Sequence, residues 1–277
     1  MLVDTHCHIN FKEFKDDVDK LIIKTRQEGV SLIVPSVQKS TSQRAIAYAH
    51  KYDNIWAAVG LHPTQLFDIK VQDNENEYYT KAEELNIDFY RELARDKKVV
   101  AIGEVGLDYY QQPAKVSFDL VREKQKRVFQ QQLKLAQELS LPVIIHTRMR
   151  DKSPNVYQDV LELLDQAKYY NCVLHSFTGS LTQAQEFIAL GCYLSFNGII
   201  TYKNADNIRE IVKKVYLKSI LIETDAPYLA PEPHRGKRNE PSYVKYVAEK
   251  IAEIKKVSFE EVAKITTENA NRFFNLI

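Results

Sequence analysis

The sequence predicts an α/β fold closed into a (β/α)8 barrel of the TIM type, and three observations carry that expectation. Eight short, β-branched apolar runs punctuate the 277 residues. Segments with apolar residues at helical spacing separate them, such as Val128, Leu133, Leu135 and Leu139, or Val156, Val160, Leu161 and Leu164. Residues able to do chemistry gather at the C-terminal ends of the runs. Strand–helix alternation implies a parallel sheet covered by helices, and eight repeats suggest closure. An open doubly wound sheet would normally carry a glycine-rich phosphate loop after its first strand, and the sequence has none there.

In chain order the expected strands are Leu2–His8, Ser31–Val37, Ile55–Leu61, Val99–Val105, Pro142–Thr147, Cys172–Phe177, Tyr193–Ile199 and Ile220–Thr224. After the third comes Thr64–Asn86, polar and acidic, which reads as a long connection or partial helix at the barrel mouth. The polar stretch Pro231–Pro241 follows the eighth and leads into a closing pair of helices ending near Asn269–Phe274. No linker, repeat or composition shift divides the chain, so residues 1–277 are expected to form one domain.

Composition narrows the function classes. The chain is 44% apolar and 27% charged, ordinary for a globular protein. Lys plus Arg (38) against Asp plus Glu (37) leaves a net charge of +1, so a nucleic-acid partner would be gripped locally rather than by a broad basic surface. Cys7, Cys172 and Cys192 have no paired spacing, and Met1 runs straight into Leu-Val-Asp-Thr with no basic or apolar leader. No apolar run approaches the length of a membrane span. The expectation is a reduced, cytoplasmic protein with no membrane association and no obligate protein partner.

The chemistry begins at His6-Cys7-His8. Side chains alternate along a strand, so the two imidazoles share a face and Cys7 packs oppositely. Alone, such a pair is as readily a hydrogen-bonded couple as a metal grip. The other strand ends decide between these. Glu104 ends the fourth run, His146 the fifth, His175 the sixth and Asp225 the eighth. All belong at the C-terminal face, where barrel active sites are assembled from different strands. Four histidines and two carboxylates converging there form a nitrogen–oxygen donor set suited to Mg, Mn, Zn or Fe.

Six ligands exceed the need of one ion that must leave a position open for water. Two divalent ions are expected, Mg or Mn in action and Zn as a bound alternative, with Glu104 bridging them and Asp225 taking a proton from the attacking water. Arg148, two residues beyond His146, faces the same mouth and suits a phosphate. His62 ends the third run and is placed to touch substrate. Asp4 and Glu223 each precede a ligand by two residues and should orient it from below. The loop His234-Arg235-Gly-Lys237-Arg238-Asn239 follows the last ligand strand and reads as a phosphate-binding loop, with Arg235 as its candidate contact.

At these residues the sequence resembles the TatD family of metal-dependent deoxyribonucleases. The motifs are Asp-Thr-His-Cys-His at 4–8, Gly-Leu-His-Pro at 60–63, Gly-Glu-Val-Gly-Leu-Asp-Tyr-Tyr at 103–110 and His-Thr-Arg at 146–148. His-Ser-Phe-Thr-Gly at 175–179, Glu-Thr-Asp-Ala-Pro-Tyr-Leu-Ala-Pro at 223–231 and Arg-Gly-Lys-Arg-Asn-Glu-Pro at 235–241 complete the series. They run in order over nearly the whole chain. The resemblance implies a TIM barrel of the metallo-dependent hydrolase type with DNase activity, often exonucleolytic from the 3′ end. It also implies metal roles for His6, His8, Glu104, His146, His175 and Asp225. The expected partner is DNA, single-stranded or frayed at its 3′ end. Two stretches depart from the family pattern: the basic Met149–Asn155 and the extended Thr64–Asn86. An amidohydrolase-type C–N or ester hydrolase of a small substrate is the alternative function. A non-catalytic binding module is disfavoured by the intact ligand set.

Overall fold

The computed structural model describes residues 1–73, 76–150 and 153–276. Eight parallel strands form one sheet in sequential order. They are β1 (Leu2–Asp4), β2 (Val30–Val34), β3 (Ile55–Val59), β4 (Val99–Asp108), β5 (Val143–Arg148), β6 (Cys172–Leu174), β7 (Tyr193–Phe196) and β8 (Ile220–Ile222). Helices cross over between them: α1 (Val18–Gln27), α2 (Lys39–Lys51), α3 (Ile87–Ala94), α4 (Phe118–Leu139), α5 (Val156–Ala167), α6 (Leu181–Ala189) and α7 (Asp206–Lys214). After β8 come α8 (Val244–Lys255) and α9 (Phe259–Phe274), the closing pair expected from the sequence.

No regular ladder joins β8 to β1; single bonds at their C-terminal ends close the ring instead. Thr5 N–H donates to the Ile222 carbonyl (3.1 Å), Asp225 N–H to that of His6 (2.8 Å) and His8 N–H to that of Ala226 (2.7 Å). The buried Asp4 carboxylate reinforces this seam, accepting from Thr224 N–H (2.9 Å) and Thr224 Oγ1 (2.5 Å).

Side-chain alternation builds two apolar layers. Val3, Ile33, Ala58, Val100, Ile144, Val173 and Leu221 point into the barrel, and Phe273 and Phe274 of α9 pack against that layer. Their neighbours, among them Leu32, Val34, Val59, Val143, Ile145, Leu194 and Ile222, point out against the helices. Cys7, Cys172 and Cys192 are buried in this outer layer as free thiols. The period of two continues past the interior layer to the mouth: Ile144 leads to His146, Val173 to His175 and Leu221 to Glu223 and Asp225.

Two departures from this pattern place site residues. At Thr5 the chain bends, so His6 and His8 turn inward although Val3 and Thr5 precede them on the interior parity. In β4 the register against β5 slips between Ile102 and Val105. Gly103 and Glu104 are left to bond across to Ser36 beyond β2. A bulge of this kind re-aims one side chain, here Glu104.

Thr64–Asn86 is neither structureless nor helical over most of its length. Strands Ile69–Asp73 and Asn76–Thr80 pair antiparallel, and Asn86 caps α3 through its side chain. Isoleucine, valine, threonine and paired tyrosines in this stretch favour strand, which outweighs its polar and acidic average. Asp151 and Lys152, within the basic stretch Met149–Asn155, lie outside the described residues.

Candidate metal centre

Every donor predicted at the strand ends lines one cavity of about 790 Å3 at the C-terminal face except His6, which is wholly buried just beneath it. Glu104, 3% exposed, is the hub. Its Oε2 lies 3.4 Å from both His6 Nε2 and His8 Nε2, and Asp225 Oδ1 lies 3.7 and 3.5 Å from the same nitrogens. The two Nε2 atoms are 3.1 Å apart. Its other oxygen, Oε1, lies 2.7 Å from His146 Nδ1, 2.9 Å from His175 Nε2 and 3.3 Å from His62 Nε2. One carboxylate therefore faces two separate donor sets.

These spacings suit metal ions. Ligand atoms about 2.1 Å from one tetrahedral ion sit ~3.4 Å from each other, close to the separations around Glu104. All the donors are nitrogen or carboxylate oxygen, and none is a thiolate.

The electrostatics agree. Burial pushes the Glu104 carboxyl up, but the charges of His175, His62 and His6 and the hydrogen bond with His146 outweigh it and hold it well below the usual range. Asp225 is likewise lowered, burial being overcome by its bond to His8 and by the charges of His6 and His175. Burial opposes protonation of the imidazoles, yet the two carboxylates raise His8 to about 9. Glu104, with Glu223 helping, raises His175 well above its ordinary value. Burial and the repulsion of neighbouring imidazoles push His6 and His62 down. The carboxylates thus gather positive charge around themselves, and a divalent cation would supply that charge while displacing the protons.

Asp108 carries no role in the sequence reading, yet it is part of the centre. It is 1% exposed, and its Oδ2 lies 3.0 Å from His146 Nε2 while Oδ1 accepts from Tyr110 N–H and Gln111 N–H. An imidazole donating from Nε2 to Asp108 presents its Nδ1 lone pair to the Glu104 side. The available signal was spacing: β4 extends to Asp108, three residues beyond the expected Val105, and residues 104, 106 and 108 share one parity.

Asp4 and Glu223 act differently from expectation. Asp4 bonds the backbone N–H of His6 (3.3 Å), not its ring, and His6 Nδ1 has no hydrogen-bond partner. The Glu223 carboxylate accepts from Ser176 N–H at 2.6 Å, and its approach to His175 Nδ1, at 3.5 Å, is longer. Both hold the backbone that carries the ligands.

Arg148 and His62 line the cavity as expected, Arg148 with its guanidinium 4.2 Å above the Tyr110 ring. Arg235 does not join them: it is exposed and stacks 4.2 Å over Tyr202, outside the described lining residues. The rest of its loop is spent internally. His234 stacks on Tyr243, Arg238 pairs with Asp17 (2.6 Å), and buried Asn239 donates to the carbonyls of Thr224 and Tyr228. His234, Arg235 and Arg238 do not converge on an anion pocket, because each is held by a different neighbour: Tyr243, Tyr202 and Asp17.

Asp225 adopts φ 57° and Ser176 φ 47°, both left-handed and rare for residues with a Cβ. Ser176 stands one residue past the interior His175, Asp225 ends the interior series 221, 223, 225, and each turns the chain at the mouth. The Asp225 N–H bond to His6 fixes the carboxylate opposite His8.

Comparison with known proteins agrees with this architecture. YabD of Bacillus subtilis, named an uncharacterized metal-dependent hydrolase, is 41% identical over 279 residues, spanning 100% of both chains. YcfH of Escherichia coli K12, named in the same way, is 35% identical over 286 residues, covering 99% of this chain and 96% of its own. The crystal structure of YjjV, a TatD homolog from Escherichia coli K12, matches with a TM-score of 0.84 at 31% identity, covering 99% of this chain and 98% of that one. Among the described residues, no helix is long and apolar enough to cross a membrane. The profile of the TatD-related DNase family matches residues 3–275, and the chain belongs to that family.

Proposed function

We propose that the protein is a metal-dependent hydrolase and, within that class, a phosphodiesterase that shortens single-stranded or frayed DNA from the 3′ end. The observation that carries the reading is the division of Glu104, with one oxygen toward His6, His8 and Asp225 and the other toward His146 and His175. In this reading His6, His8 and Asp225 on one side and His146 and His175 on the other, with Glu104 between them, would hold divalent metal ions. The ions would supply Lewis acidity at phosphorus and lower the pKa of the attacking water.

The protein's own groups do the rest. Asp225, held ionised and facing His8, accepts the proton of the attacking water. The water oxygen bonds to phosphorus as the bond from phosphorus to the 3′ oxygen of the shortened strand breaks, and that oxygen takes a proton from solvent. Arg148, fixed over Tyr110, offers its guanidinium to a non-bridging phosphate oxygen. His62, with Nδ1 bonded to Thr64, directs Nε2 into the cavity beside Glu104.

The test uses the full chain loaded in turn with Mg, Mn or Zn, and compares 3′-labelled and 5′-labelled single-stranded oligonucleotides, bis(p-nitrophenyl) phosphate and p-nitrophenyl acetate. The reading requires phosphodiester turnover and stepwise loss of the 3′ label before the 5′ label. Turnover of the carboxylic ester alone would overturn it in favour of a small-molecule hydrolase.

A further inference from the structure

The mouth of the barrel is not evenly charged. Among the described residues lining the cavity, three exposed cations, Lys12, Arg44 and Lys81, stand on the segments following β1, β2 and β3. Glu13 is the carboxylate on that rim. Strand order places these segments side by side, and the segments following β5, β6 and β7 on the opposite half of the ring. That half brings Arg148 alone as a cation among the described lining residues. It continues into a second hollow of about 530 Å3 through Met149, Tyr157 and Thr178, and no cation is among the described residues lining it.

The aromatic rings differ too. On the cationic half Phe11 stacks on His8 (centroids 4.3 Å apart, planes at 14°), and Tyr79 is 76% exposed at the cavity edge. Basic side chains beside an open aromatic ring, here Tyr79, suit a run of single-stranded nucleotides, one phosphate after another. A half with one guanidinium, and a hollow that offers hydroxyls and amides but has Glu210 as its charged lining residue, has groups for a single nucleotide and little to hold more than one phosphate.

We infer that the site has a polarity: the strand being shortened lies over the β1–β3 half on Lys12, Arg44 and Lys81, and the terminal nucleotide to be released sits on the β5–β7 half. This rests on the nuclease reading for the identity of the strand, but it is a statement about binding and is tested as one.

The test measures fluorescence anisotropy of labelled single-stranded dT10 and dT2 on the metal-loaded full chain, across a salt series. The variants are Lys12→Ala/Arg44→Ala/Lys81→Ala and its charge-keeping counterpart Lys12→Arg/Arg44→Lys/Lys81→Arg. Neutralising three phosphates of a single strand gives a log–log salt slope of about −2. The triple alanine variant is expected to lose at least tenfold in dT10 affinity, to flatten the slope toward zero and to erase the preference for dT10 over dT2. The charge-keeping variant should restore most of the loss. A control of exposed lysines on the outer shell, Lys213→Ala/Lys218→Ala/Lys264→Ala, should keep the steep slope.

Equal losses for dT2 and dT10, an unchanged slope, no recovery in the charge-keeping variant, or no dT10 binding by the unaltered protein would each overturn the inference. Length-dependent binding with no phosphodiester turnover would sustain it while removing the nuclease reading.

Discussion

Glu104 and Asp108 lie four residues apart on β4 and do opposite jobs, one facing the donors directly and one aiming a donor. If Glu104 joins two ions, Glu104→Ala should lose at least one metal per chain by atomic absorption and nearly all hydrolytic activity. Circular dichroism should stay that of the barrel, because the lost group contributes coordination rather than core packing. Full metal occupancy in that variant would end the bridging role. Asp108→Asn makes a different prediction. An amide nitrogen facing His146 Nε2 takes away its acceptor and favours the ring tautomer with Nδ1 protonated, which removes the lone pair from the Glu104 side. Metal affinity should fall about 10- to 100-fold by chelator competition, the usual effect of losing such a partner. Unchanged affinity would make Asp108 a turn residue only. Glu104 is legible in the sequence because a carboxylate ending an apolar strand has no packing reason to be there. Asp108 gives a weaker signal, its shared parity with Glu104, because the strand expected from the apolar pattern ends at Val105 and the backbone shows that pairing continues to Asp108.

At the scale of elements, the β4–β5 pair sets the position of both Glu104 and His146, and at Gly106 there is no room for a side chain between the two strands. Gly106 has φ 140°, and a Cβ there would lie 2.2 Å from the His146 carbonyl oxygen. Gly106→Ala should destabilise the fold by about 2–4 kcal/mol in urea melts. A wild-type midpoint would show that the strands can part without cost. A second bracket ties the same end of β4 to its helices. Asp159 of α5 accepts from Tyr109 (2.6 Å), from Arg122 of α4 through two bonds (2.7 and 2.6 Å) and from Lys126 (3.1 Å). Burial pushes this carboxyl up, but the bonds from Arg122, Tyr109 and Lys126 outweigh it and bring it to about 2. A depressed folded pKa adds stability above the unfolded value near 4, and that stability is lost as pH falls toward 2. Asp159→Asn should therefore cost about 2 kcal/mol at pH 7, and the gap from wild type should narrow between pH 4 and pH 2. A gap independent of pH would mean that packing, not charge, holds the bracket. Elements with clean periodicity, such as α4 and α5, are legible in the sequence. The antiparallel pair Ile69–Asp73 and Asn76–Thr80 is not, because the polar average of the stretch hides its strand-forming residues. The loop around Arg235 misleads for the opposite reason: a local run of cations reads as one anion site, while Asp17, Tyr202 and Tyr243 divide it among separate contacts.

The molecule as a whole is a ring whose chemistry lies at the floor of one mouth, and this decides what substrate can reach it. Eight strands are countable in the sequence, and their number predicts closure; the bonds that make it, single ones from Thr5, His8 and Asp225 rather than a patterned ladder, are not legible there. Closure makes the site a recess: Glu104, His8 and His175 are only 3–4% exposed, so a phosphate must descend to them rather than slide past. A net charge of +1 gives little long-range attraction to pull a polyanion down. A free strand end can enter by bending one nucleotide into the cavity. A covalently closed circle must push in a doubled loop, bringing two phosphate chains past a rim whose exposed cations Lys12, Arg44 and Lys81 lie on one half. The expected result is rapid shortening of a linear single strand and little cutting of a circular single strand of identical sequence, resolved on a denaturing gel at equal enzyme and metal. Duplex DNA with blunt ends should be slower than the same duplex with a frayed 3′ end, because its terminal pair must open first. Fast linearisation of the intact circle would show that the mouth admits an internal phosphodiester, removing the requirement for an end and leaving the assignment of the donors at Glu104 as it stands.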